Sequence, residues 1–260
     1  MGEEFEIQDH LLIDLFQDAL DPLGDEANFA PPDWMTEDFP YQPGQFVGRG
    51  GSGFVWKARD RKTDEWVALK LIVFQGDIET ARERWLREAR IAGSVQHPHL
   101  MGIRDSGLSP DGVSAWLTLE WIDGGGLHQY LEKNGPLSWE ILAPWVQQIC
   151  EGLQALHEIG LVHRDLKPSN LLLESETNRL VISDFGAALA ISEERVTRTT
   201  DALLSFGYAA PEQLKVGRAV DGRADQFSLA VTLWELLTGE LPMGSFPKLK
   251  SQTAQTPFWL

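Results

Sequence analysis

One cysteine, Cys150, occurs in the 260 residues, so no internal disulfide can form, and no Cys/His cluster has zinc spacing. Reducing cytoplasm is the compartment this composition implies. Long apolar runs are also missing. The longest nearly apolar stretch, Phe227 to Leu233, already contains Ser228 and Thr232 and falls far short of the ~18–20 residues a membrane span needs. Basic residues are scarce at the start: the first is Arg49, which excludes the basic opening of a secretory signal peptide. Glu6 stands where N-myristoylation wants Ser or Thr. Positive charge is the minority throughout, 22 Lys plus Arg against 39 Asp plus Glu, for a net charge of −17. Nothing here could displace counterions along a phosphate groove, so nucleic acid is not an expected partner.

What is present is unevenly spread. Of the net −17, twelve negative charges belong to residues 1–40, which carry no Lys or Arg, leaving −5 for the rest. Ile7, Leu11, Leu12, Leu15, Phe16 and Leu20 fall close to helical spacing before Pro22 and Gly24. The leader reads as a solvated acidic tail, a docking segment, or a pseudosubstrate-like element lying on a basic surface. Ala30-Pro31-Pro32 and Pro40 to Gly44 then predict a linker, so residues 1–44 are expected to lack fixed structure.

From Gln45 the pattern turns to strands. Phe46-Val47, Phe54 to Ala58 and Trp66 to Phe74 are short, β-branched or aromatic, and separated by turn formers. In the third run Val67, Leu69, Leu71 and Val73 share one face, while Ala68, Lys70 and Ile72 share the other. A lysine pointing with Ala68 and Ile72 toward a covered face invites a charged partner. Thr80 to Val95 reads as a helix with Trp85, Glu88, Ile91, Ala92 and Val95 near its apolar stripe. Leu117 to Trp121 is another strand, followed by the connector Asp123-Gly124-Gly125-Gly126. Helices are expected from about Pro144 to Ile159 and from about Ala224 to Leu237, closed by Gly160 and Gly239. Strands first and helices afterwards indicate a two-lobed α+β arrangement.

Gly48-Arg49-Gly50-Gly51-Ser52-Gly53 fits G-x-G-x-x-G, a weak signal alone because the same string opens dinucleotide folds. Context decides, since Phe54-Val55-Trp56-Lys57-Ala58 continues as a strand where a dinucleotide site needs a helix. A strand, glycine turn and strand make a flap whose backbone can approach polyphosphate. Downstream stand His163-Arg164-Asp165-Leu166-Lys167-Pro168-Ser169-Asn170, Asp184-Phe185-Gly186 and Ala210-Pro211-Glu212. With Val67-Ala68-Leu69-Lys70 and Glu88, these motifs in this order resemble the eukaryotic-type serine/threonine protein kinase family over roughly residues 45–240. Ala210-Pro211-Glu212-Gln213 gives the resemblance a bacterial character.

The resemblance implies a role for each residue. Gly48, Gly50 and Gly53 would cover the phosphates of ATP, and Lys70, oriented by Glu88, would hold the α- and β-phosphates. Val55, Ala68 and Leu173 resemble adenine-stacking positions, and the segment Glu120 to Ile122 resembles the hinge that reads the adenine edge. Asp184 and Asn170 would hold Mg²⁺, Asp165 would accept the substrate hydroxyl's hydrogen bond, and Lys167 would steady the γ-phosphate. Arg164 resembles the arginine that pairs with a phosphate on the activation segment, where Thr197, Thr199 and Thr200 lie. Lys167, with Ser205 three residues before Tyr208, favours serine and threonine over tyrosine in protein substrates.

An N-lobe over 45–122 and a C-lobe over 123–260 follow from the resemblance. Family members continue with three further helices after 224–237, whereas Met243 to Leu260 contains Gly244, Pro247 and Pro257 and no helical pattern. The lower lobe is therefore expected to be cut short. A nucleotide-binding, catalytically weak interaction module is the alternative to the enzyme.

Overall fold

Alternating side chains organise the first half of the chain into one antiparallel sheet. The computed structural model describes residues 30–50, 53–74, 76–184, 207–215 and 219–242, with residues 49, 50 and 88 described by their backbone alone. Strands β1 (Tyr41–Gly50), β2 (Gly53–Asp60), β3 (Trp66–Val73), β4 (Ile103–Leu108) and β5 (Ser114–Glu120) pair in the order β1-β2-β3-β5-β4. In β3, Val67, Leu69 and Leu71 are buried together with Trp56 of β2 and Trp116 of β5. Ala68, Lys70 and Ile72 take the opposite face, as a period of two requires. Ile72 meets the helix α1 (Ile78–Gly93), whose Trp85 buries against Phe74 and Ala115. This helix begins before the expected Thr80 because Asp77 stands at its N-cap position and Glu79 fills its first turn. It ends before Val95, with Ser94 Oγ donating to Ile91 O at 2.7 Å.

The residues before β1 correct the expected linker. β1 starts at Tyr41, and Met35 and Phe39 are both only 8% exposed. Phe39 stands edge-on to Trp34 at 5.4 Å and to Trp116 at 5.1 Å. Arg61 Nε donates to the Phe39 carbonyl at 3.1 Å. The cause is the apolar outer face of the sheet: Trp56, Leu69 and Leu71 need cover, and these aromatic residues supply it. Pro43 is accommodated because β1 is an edge strand with register shifts on either side of Phe46. Residues 1–29 lie outside the described residues.

The second half contributes α2 (Leu127–Asn134), α3 (Trp139–Glu158), a 3₁₀ turn (Pro168–Asn170), the hairpin β6 (Leu171–Leu173) and β7 (Leu180–Ile182), and α4 (Arg223–Thr238). α3 begins at Trp139, ahead of the expected Pro144, because Ser138 precedes it and a proline near a helix start forfeits only one ladder bond. α4 buries Leu229, Val231, Trp234, Leu236 and Leu237, and Gly239, at φ 80°, closes it by donating to Glu235 O at 2.7 Å. One core joins Leu142, Ile149 and Leu156 of α3 to Leu166, Leu180, Ile182 and Leu236, and it also takes in Ala92, Leu100 and Ile122 from the upper half. The two-lobed α+β arrangement holds, with the cleft between the sheet and the β6–β7 hairpin. The C-terminal residues 243–260, on which the expectation of a shortened lobe rests, lie outside the described residues.

Candidate active site

Lys70 is 8% exposed, and its Nζ donates to Asp184 Oδ1 across 114 residues of sequence. A buried ammonium demands a counter-charge, and the strand pattern already implied one. The Lys70 ammonium in turn holds the Asp184 carboxyl below the usual carboxylate range, against the upward push of burial. Lys70 was expected to be oriented by Glu88. Glu88 lies in α1, but its side chain is outside what is described, and the described partner of Lys70 is Asp184.

The loop from His163 to Asn170 is held from three directions. Asp165 Oδ2 receives Lys167 Nζ at 3.1 Å and Asn170 Nδ2 at 3.2 Å, and the same Nδ2 donates to Asp165 O at 2.7 Å. Ser183 donates its N–H and Oγ to Asn170 O at 2.9 and 3.2 Å, which ties this loop to the residue before Asp184. His163 is fully buried. Its Nδ1 accepts the Asp165 N–H at 3.3 Å, so Nε2 carries the proton and donates to Ser183 O at 2.8 Å. Both nitrogens are committed, and the residue is architectural.

Arg164 and Asp184 have φ values of 67° and 62°, a left-handed conformation that side chains disfavour and that surrounding structure must impose. Asp225 does this for Arg164. Fully buried in α4, it accepts the backbone N–H groups of His163 and Arg164, each at 2.8 Å, and the His157 Nε2–H at 2.7 Å. Gln213 completes the hold: its Nε2 donates to Arg164 O at 2.7 Å while its Oε1 accepts the Ala210 N–H at 3.0 Å. Sequence reasoning missed Asp225 and His157. The available signal was an acid at the start of an otherwise apolar helix.

Above the cleft, Val55 pairs opposite Lys70 and Ala68 opposite Leu119, so Val55, Ala68 and Lys70 share one face of the sheet. The segment Glu120 to Ile122 begins at the last residue of β5, with Ile122 buried and Glu120 Oε1 2.6 Å from Arg179 Nη2. Leu173, also buried, donates its N–H to Gly125 O at 2.9 Å. In the glycine turn, Gly53 has φ 141°, and a Cβ there would lie 1.9 Å from Leu71 O, so only glycine fits. At Gly48 a Cβ would meet no protein atom within 4 Å. Internal packing does not require that glycine. Gly50 closes β1 opposite Gly53. Thr197, Thr199, Thr200 and Ser205 lie outside the described residues.

The donor set suits polyphosphate and a hard divalent cation: one buried ammonium, the Asp184 carboxylate, and the Asn170 amide oxygen left over once its N–H is committed to Asp165. Among the described residues, no three His, Cys, Asp or Glu side chains converge as an all-protein metal cage. Mg²⁺ characteristically uses one or two protein oxygens and shares the rest with substrate phosphates.

Residues 41–257 match the family described as protein kinase domain. The serine/threonine-protein kinase PrkC of Bacillus subtilis is 35% identical over 223 residues, covering 84% of this chain and 34% of its own length. The serine/threonine-protein kinase PknB of Mycobacterium tuberculosis is 35% identical over 211 residues, 78% of this chain and 33% of its own. This chain thus spans about a third of the length of these relatives. The crystal structure of the PknI kinase domain of Mycobacterium tuberculosis aligns with a TM-score of 0.64 and 29% identity, covering 86% of this chain and 85% of that one. The family match spans the sheet, the cleft and α4 alike, and the chain belongs to the protein kinase domain family.

Proposed function

We propose that this chain transfers the γ-phosphoryl group of ATP to serine or threonine hydroxyls of protein substrates, with Mg²⁺. The observation that carries this is the convergence of Lys70, Asp184, Asn170, Asp165 and Lys167 through short contacts from β3 to the loop at 163–170. Intact Lys70, Asp165 and Asp184 weigh against the catalytically weak alternative. Kinase names among the relatives, and Lys167 itself, support serine/threonine chemistry.

Phosphoryl transfer needs positioning and charge neutralisation more than covalent help from the protein. Val55, Ala68 and Leu173 enclose the adenine, the backbone of Glu120 to Ile122 reads its edge, and Gly48, Gly50 and Gly53 cover the phosphates. Lys70 holds the α- and β-phosphates. Asp184 and Asn170 hold Mg²⁺, which supplies neutralisation of charge on the phosphate oxygens when bound. Asp165 accepts the hydrogen bond of the incoming hydroxyl and takes its proton as the new O–P bond forms and the bond from the γ-phosphorus to the β–γ bridging oxygen breaks, with ADP as the leaving group. Lys167, already 3.1 Å from Asp165, steadies the transferring group.

Phosphate on Thr197, Thr199 or Thr200 would be received by Arg164, ordering the activation segment through charge-assisted hydrogen bonds. The acidic leader serves as a docking segment for a basic surface on a partner. No helix among the described residues is long and apolar enough to cross a membrane, and the lone cysteine fits the cytoplasm. The test is incubation with γ-labelled ATP, Mg²⁺ and a basic protein substrate, beside an Asp184→Ala control. Phosphoserine or phosphothreonine formed only by the wild-type chain is expected. Equal labelling by both proteins, or phosphotyrosine alone, overturns the reading.

A further inference from the structure

Two cations that touch none of the reacting groups converge on the hinge. Arg179, in the turn before β7, contacts two carboxylates and one backbone carbonyl. Its Nη2 donates to Glu120 Oε1 at 2.6 Å and to Glu174 Oε1 at 3.1 Å, its Nε to Glu174 Oε2 at 3.2 Å, and its Nη1 to Pro98 O at 3.1 Å. One guanidinium therefore joins the hinge, the β6–β7 turn and the loop following α1. Its side chain is 24% exposed, with Glu120 at 33% and Glu174 at 27%, so these bonds are only partly screened by water. The fork geometry of arginine is what allows several partners to be held in one plane.

On the other side of the hinge, Lys57 Nζ lies 4.5 Å from the Trp66 ring centre and 4.8 Å from that of Trp121. A cation between two indoles is attracted by both ring faces. Lys57 belongs to β2, directly opposite Ala68, whereas Trp121 follows Glu120 in the hinge itself. Consecutive hinge residues are thus tied in opposite directions, Glu120 to the lower lobe and Trp121 to the sheet. Rotation of one lobe against the other must stretch at least one of these contacts.

We infer that Arg179 and Lys57 are positioning residues that clamp the hinge between the lobes and thereby set nucleotide affinity. The inference rests on the reading of Glu120 to Ile122 as the adenine-reading segment. Fixing that backbone before binding removes the ordering that nucleotide would otherwise have to impose. The clamp acts on binding, not on the chemical step.

The test is titration of the full chain with a fluorescent ATP analogue and Mg²⁺, with thermal melts alongside. Arg179→Gln and Glu120→Gln should each weaken binding by roughly 3–10-fold, and the double variant no more than Arg179→Gln alone, because the two residues share one contact. Lys57→Met should weaken binding by about threefold, and Lys57→Arg, which keeps the cation over the rings, should restore it. Retention of wild-type affinity in Arg179→Gln and Lys57→Met overturns the clamp, as does strict additivity of Arg179→Gln and Glu120→Gln. Failure of the wild-type chain to bind the analogue overturns the nucleotide-site reading and the clamp with it.

Discussion

Asp225 Oδ1 accepts the backbone N–H of Arg164 at 2.8 Å across 61 residues of sequence. The bond fixes the loop that carries Asp165 to the buried helix α4 and holds Arg164 in its left-handed conformation. On the proposed function, catalytic geometry therefore depends on a carboxylate that is itself fully buried.

Asp225→Ala leaves the N–H groups of His163 and Arg164 and the His157 ring without their acceptor. Each buried donor left unsatisfied costs about 1–3 kcal/mol, so at about 2–4 °C per kcal/mol for a chain of this size the two backbone donors alone should lower the melting temperature by about 4 °C or more. Phosphoryl transfer should fall on the order of a hundredfold, since a displacement near 1 Å at the reacting centre suffices for that. Melting curves and initial rates on the same preparation check both. Wild-type activity in the variant would show that the loop holds itself.

The aromatic cover of the sheet gives a second expectation. Phe39 is buried against Trp34 and Trp116, so Phe39→Ala should destabilise by about 3 kcal/mol or more. Deleting residues 1–29 should leave the melting temperature unchanged, whereas deleting 1–40 should lower it by several degrees. Equal melting of both truncated chains with the intact one would mean the cover contributes nothing.

What the sequence disclosed depended on whether the signal was local. Lys70 was legible because a lysine on the face of Ala68 and Ile72 breaks the strand pattern, and Asp165, Asn170 and Asp184 because they sit in short motifs. Asp225 was hidden: helical periodicity marks α4 as apolar, and periodicity cannot say what one acid at its start accepts. The ion pair of Glu120 with Arg179 spans 59 residues and leaves no trace in either neighbourhood. The prolines around residues 31–43 outweighed Trp34, Met35 and Phe39, whose partners are the distant Trp56 and Trp116. The hairpin strands Leu171–Leu173 and Leu180–Ile182 have three residues each, too few for a period to register.

Tyr208 supplies a test at alkaline pH. Its hydroxyl donates to Glu235 Oε2 at 2.5 Å, and burial first, then this hydrogen bond, raises its pKa above the ordinary 10.0. A folded-state value above the unfolded one means the contribution to stability is complete below pH ~10 and is lost as pH rises beyond it. Wild-type stability measured by denaturant should therefore fall more steeply above that pH than the stability of Tyr208→Phe, by up to about one proton. Parallel pH profiles would remove Tyr208 from the account.

On the proposed function, labour within the cleft is divided, with Lys70 and Asp184 serving the nucleotide and Asp165 serving the hydroxyl. Asp165→Asn separates them, and the direct measurement is its transfer rate from γ-labelled ATP beside its affinity for a fluorescent ATP analogue. Nucleotide binding within about twofold of wild type is expected, with a transfer rate lower by a factor on the order of 10²–10⁴, the range general base catalysis supplies. Transfer by Asp165→Asn at a rate close to wild type, with contaminating kinase excluded by an inactive Lys70→Met preparation, would contradict that division.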